Sequence, residues 1–132
     1  VFDDSRYFDV FTEYAKSDDE DICIKISVYN RSASYAPITL LPTVWMRNTW
    51  SYGLAKQRPM IKLVEANLVN CELKISHPKM DDYSFYCQNP ATVLFTENET
   101  NPERLYQTSN ETPYVKDAFH DAIIKKIRRA SA

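Results

Sequence analysis

From Ile22 to Asn30 the chain reads ICIKISVYN, and the alternation in that stretch constrains the fold more than any other feature of the sequence. A strand sends successive side chains to opposite faces. Ile22, Ile24, Ile26 and Val28 therefore share one apolar face, and Lys25, Ser27 and Tyr29 the other. The preceding stretch, residues 5–16, alternates as well. Phe8, Val10, Thr12 and Tyr14 point one way and Tyr7, Asp9, Phe11 and Glu13 the other. Aromatic and β-branched residues favour the pleated state. Between the two runs lies SDDED, a charged turn. The three pieces predict an antiparallel hairpin.

Further strands follow at short spacing. Pro37 opens a third, carrying Ile38, Leu40, Val44 and Met46 on one face and Leu41, Trp45 and Arg47 on the other. Pro42 cannot donate to a ladder, so an edge or a bulge is expected there, and a bulge would re-aim Trp45 and Arg47. Residues 60–66, 71–76, 83–88 and 92–95 read as four more strands, with a tight turn bracketed by Asn67 and Asn70 and a turn-rich link over 77–82. Strands of this length and spacing indicate an all-β protein, an antiparallel β-sandwich forming one domain over residues 1–132. The pattern stops at Thr96. Residues 96–116 form a long polar loop, and such loops are usually functional or disordered. Residues 117–129 have helical spacing, with Asp117 as N-cap, a stripe of Phe119, Ile123, Ile124 and Ile127, and basic Lys125, Lys126, Arg128 and Arg129 in the last turns. The chain holds a single glycine, so its hairpins must rely on longer loops and on Asn rather than on tight glycine turns.

Composition removes several functions. Formal net charge is -2 with both signs spread through the sequence, which argues against a concentrated phosphate-binding face, and the basic run at 125–129 reads as a solvated helix end, so no nucleic-acid partner is expected. No apolar run is long enough to span a bilayer, so no membrane partner is expected. The N-terminal VFDDSRYFDVF has no basic region of the signal-peptide kind, and the lack of an initiator Met suggests a chain cut from something longer. Cys23, Cys71 and Cys87 form neither a disulfide framework nor a C-x-x-C knuckle. They fit a reduced, cytoplasmic setting, with room for one disulfide. Sequons at Asn30, Asn98 and Asn110 matter only in a secreted protein. His77 and His120 are too few for a zinc site and stand in no Ser-His-Asp or Cys-His order. A single glycine rules out a P-loop and a dinucleotide-binding loop, and no cofactor is expected.

Two clusters exceed what a fold needs. Trp45, Arg47, Asn48, Trp50 and Tyr52 crowd together where the third strand runs out. Flat aromatic surface beside Arg and Asn suits a hydroxyl-rich ligand, and equally suits a docking domain. The second cluster is Glu97, Asn98, Glu99 and Asn101. Paired carboxylates serve glycoside hydrolysis, but these two are near neighbours on one loop and read better as hydrogen-bonding residues for a sugar or a neighbouring domain than as a catalytic pair. No Asp-Gly loop accompanies them, so no metal is expected.

YFDVFTEYAKSDDEDICIKISVYNR, LLPTVWMRNTWSYG, LFTENETN and TPYVKDAFHD occur in that order. The set resembles bacterial glycoside hydrolases similar to family sixty-three, the family of mannosyl-oligosaccharide glucosidase. WMRNTWSYG and FTENETN are its most specific parts. The resemblance implies an N-terminal β-sandwich that precedes a catalytic (α/α) toroid, in a parent that is an inverting hydrolase of α-glucosidic or related linkages. It implies that the catalytic carboxylates lie in the toroid and none in these residues. Trp45, Arg47, Asn48, Trp50, Tyr52, Glu97, Asn98, Glu99 and Asn101 would then rim a sugar pocket or hold the domain interface. The expected partners are the toroid and an oligosaccharide, with an exposed apolar face open to homo-oligomer contacts. The alternatives are a free-standing carbohydrate-binding module and an oligomerising β-protein. The resemblance fades after Asp121, where IIKKIRRASA looks helical.

Overall fold

A computed structural model describes residues 2–90 and 92–125. Among these residues it is all-β in character, with two antiparallel sheets and two short helices. The chain divides into two compact units, Val1–Thr43 and Val44–Ala132.

The first unit contains the predicted hairpin. β1 (Phe8–Lys16) pairs with β2 (Ile22–Asn30) without a break in register, from Phe8 opposite Asn30 to Lys16 opposite Ile22. SDDED is the loop, closed by the Ser17 N–H donating to the Asp21 carbonyl at 3.0 Å and by the Glu20 N–H donating to the Asp18 carboxylate at 2.9 Å. β1 begins later than the alternation suggests, at Phe8. Beyond β2, the Arg31 N–H donates to the Tyr7 carbonyl and its guanidinium pairs with Asp9 at 2.6 Å.

The expected third strand does not form. Residues 35–49 have no regular secondary structure. Pro37 and Pro42 each remove an N–H donor, and two gaps five residues apart leave too little ladder to pair. The anticipated bulge at Pro42 falls with the strand.

The second unit contains a three-stranded sheet in the order β3 (Met60–Ala66), β4 (Asn70–His77), β5 (Met80–Gln88). Asn67 makes the first turn. Its carboxamide oxygen accepts from the Val69 and Asn70 N–H groups at 2.9 and 3.0 Å. This is an Asx device that replaces glycine. The predicted link over 77–82 is shorter than expected: only Pro78 and Lys79 separate β4 from β5, and the Lys79 N–H donates to His77 Nδ1 at 3.2 Å. Residues 92–95 give an isolated bridge at Phe95 in place of a strand, since a run of four offers few ladder bonds.

β4 is the middle strand, and its alternate residues Cys71, Leu73 and Ile75 are buried. Val115 and Ala118 are buried too. The long polar loop contains α1 (Pro102–Tyr106), with Asn101 as N-cap, Pro102 in the first turn and Gln107 closing it in the left-handed region. The C-terminal helix is present as α2 (Ala118–Ile124), after Asp117. Lys126, Ile127, Arg128 and Arg129 of the predicted helix lie outside the described residues.

Candidate functional site

The two clusters meet in the second unit around Glu99. The sequence NTWSYG folds into a hydrogen-bonded turn. Asn48 caps its start, with the carboxamide oxygen accepting from the Ser51 N–H at 3.1 Å. Gly53 caps its end at φ +69. The Gly53 N–H donates to the Trp50 carbonyl and the Leu54 N–H to the Thr49 carbonyl, each at 3.0 Å, the bond pair of a Schellman closure. The one glycine of the chain thus stands where a left-handed residue is required.

The turn aims three donors at one carboxylate. Trp50 Nε1 donates to Glu99 Oε1 at 2.5 Å, Asn48 Nδ2 to Glu99 Oε2 at 3.2 Å, and the Ser51 hydroxyl to Glu99 Oε2. Arg58 adds a cation, 3.8 Å from Glu99 Oε1 and 5.9 Å from the centre of the Trp50 ring. Asn98, itself left-handed at φ 54, accepts from Asn48 through its carbonyl at 2.9 Å and donates from its carboxamide to the Met46 carbonyl at 2.6 Å. Asn tolerates that region better than most residues.

Burial alone would raise the Glu99 pKa. The bonds from Ser51, Trp50 and Asn48, with the Arg58 charge, outweigh it and hold the carboxyl below its usual range. Glu99 is therefore ionised at neutral pH, and both oxygens already accept from the chain's own donors. This suits a group that orients an indole and an amide, and does not suit a proton donor.

A second polar knot adjoins in sequence. Asn101 accepts from the Arg104 N–H and from Asn110, each at 3.1 Å, and donates to Asp117 Oδ1 at 3.0 Å. Arg104 pairs with the other Asp117 oxygen at 2.8 Å. Burial would raise the Asp117 pKa, but Arg104 and Asn101 more than offset it and keep the group ionised. Asp117 precedes α2 without making the expected side-chain cap, because its carboxylate is committed to Asn101 and Arg104. Backbone bonds from the Glu97 N–H to the Tyr114 carbonyl (2.7 Å) and from the Lys116 N–H to the Glu99 carbonyl (2.9 Å) tie the Glu97–Glu99 stretch to 114–116.

Of the nine residues singled out, Asn48, Trp50, Asn98 and Glu99 converge, and Asn101 belongs to the second knot. Trp45, Arg47, Tyr52 and Glu97 are exposed and make no side-chain hydrogen bond to a described residue. Ser51, Arg58, Arg104, Asn110 and the ligating role of Asp117 were not expected. Ser51 carried a readable signal, since Asn48 and Ser51 have cap spacing ahead of Gly53. Arg58 carried none.

Fold and site together define an all-β protein whose second unit is knotted by ionised, saturated carboxylates. No family model and no solved structure matches the chain. It is 27% identical to the uncharacterized protein YMR196W of Saccharomyces cerevisiae over 148 aligned residues, covering 92% of this chain and 14% of that protein. The chain thus spans 14% of the length of the curated relative it matches.

Proposed function

We propose that the chain is the non-catalytic β-sandwich portion of a glucosidase-like glycoside hydrolase, packing on a separate (α/α) toroid and helping to shape its sugar site. The observation that carries this reading is the Glu99 knot. It draws together WMRNTWSYG and FTENETN, the segments on which the resemblance rests most, and it consumes the carboxylate in doing so. A residue held this way positions a surface for a neighbour and leaves the chemistry to carboxylates elsewhere. Trp45 and Tyr52, 64% and 75% exposed beside the knot in sequence, offer aromatic surface to such a neighbour or to a sugar.

The test has two arms. The chain is assayed for sugar release from α-linked gluco-oligosaccharides, and the reading frame beyond the Ala132 codon is sequenced and its whole product assayed alongside. The expected result is no turnover by the chain, and turnover by a longer product carrying a helical-repeat domain. Turnover by the chain itself, or a whole product with no such domain, overturns the reading. The exposed Trp45 and Tyr52 favour one second reading, a carbohydrate-binding module, which requires saturable sugar binding that Trp45→Ala abolishes.

A further inference from the structure

Cys71 on β4 and Cys87 on β5 are direct register partners. Opposed residues of an antiparallel pair project from the same face, with β-carbons about 5 Å apart. Just past the strand ends, two residues from each cysteine in the same register, the Asn89 N–H donates to the Val69 carbonyl at 2.6 Å. Cys71 and Cys87 therefore occupy a hydrogen-bonded pair, where Cα atoms stand about 5.5 Å apart. That Cα spacing falls inside the roughly 4.4–6.8 Å range that a disulfide spans, while the β-carbons must draw in by about 1 Å, which leaves the bond strained and readily reduced. Both thiols are free; Cys71 is buried at 4% exposure, whereas Cys87 is reachable from solvent. Cys23 supplies an internal contrast. It is exposed on β2, and its register partner is Ala15, which has no thiol.

We propose that Cys71 and Cys87 form a redox-responsive dithiol, which a small disulfide of the glutathione class converts to a cross-strand bond between β4 and β5. The accessible Cys87 thiolate attacks one sulfur of the reagent, forming a mixed disulfide and expelling one thiolate. The Cys71 thiolate then attacks Cys87 Sγ, forming the internal bond and expelling the second. Two electrons pass from the protein sulfurs to the reagent, and the two thiol protons end on the two released thiols. Burial and the adjacent Cys71 thiol push the Cys87 pKa up, so the reduced pair is quiescent and responds only to a sustained oxidising supply. The bond staples the middle strand to its neighbour along the row that holds Leu73 and Ile75.

The reduced chain is incubated with excess glutathione disulfide in mildly alkaline buffer, remaining thiols are alkylated, and peptides are mapped by mass spectrometry. The expected product joins the Cys71 and Cys87 peptides with loss of two hydrogens, carries glutathione at Cys23, and reverts readily with dithiothreitol. Stable glutathione on Cys87 beside an alkylated Cys71, or two unreacted thiols, overturns the proposal. In Cys87→Ser, Cys71 is expected to stay unmodified in the folded chain; glutathionylation of Cys71 as fast as of Cys23 overturns the order of attack.

Discussion

Glu99 accepts from an indole, a hydroxyl and a carboxamide, and its side chain is only 24% exposed. Hydrogen bonds to a charged group contribute more than neutral ones, and a partner left unpaired indoors costs its desolvation. Glu99→Gln keeps the shape and removes the charge, while its new NH₂ group faces donors. The variant is expected to lose about 1–3 kcal/mol of stability in urea unfolding at neutral pH. The sign of the pH effect follows from the depressed carboxyl. The folded state binds the Glu99 proton less readily than the unfolded chain does, so the contribution is full above the unfolded value near about 4.3 and is lost as pH falls through the folded value. The gap between the native chain and Glu99→Gln is therefore expected to narrow on acidification below about pH 4.3. A gap that widens in acid contradicts an ionised Glu99.

The donors that hold Glu99 come from one short element, the turn from Asn48 to Gly53, and its closure depends on backbone handedness rather than on space. A β-carbon added at Gly53 meets nothing within 4 Å, yet φ is +69. Gly53→Ala is therefore expected to cost about 1 kcal/mol, and Gly53→Asn less, because Asn visits that region more readily. Equal losses in thermal unfolding would mean that the closure is not what the substitution disturbs. Elements written in local pattern were legible in the sequence. The alternation of β2 and the turn signals flanking β3 gave their bounds, and the helical stripe located α2. The third strand misled because its apolar alternation was real while Pro37 and Pro42 removed the ladder it needed. The clusters were visible as compositions, but their meeting was not. Asn48 and Glu99 lie fifty-one positions apart, and no local period encodes a contact of that range. Only the cap spacing of Asn48, Ser51 and Gly53 could have shown that the aromatic cluster sits on a turn.

Across the molecule, burial is uneven, and that unevenness bears on what the chain does. The buried apolar residues among those described are Cys71, Leu73, Ile75, Val115 and Ala118, all within Val44–Ala132. In the first unit the apolar face of the hairpin is exposed toward its turn, where Tyr14 is 71%, Ile22 63% and Ile24 52% exposed, while Phe8 and Val28 at the other end are half-buried. A two-stranded sheet gains only marginal stability by itself, so its cross-strand bonds open more often than those of a three-stranded sheet with a buried middle strand. Amide hydrogen exchange reads this directly. In dilute chain, β1 and β2 amides are expected to exchange at least roughly an order of magnitude faster than those of β4. If the open face is where a toroid packs, protection of β1 and β2 rises in the longer product while that of β4 changes little. If the face instead serves contacts between copies of the chain, protection rises with concentration of the chain alone. Hairpin amides as slow as those of β4 in dilute chain would show that the hairpin needs no cover, and the argument from its exposed face to a packing partner would fail.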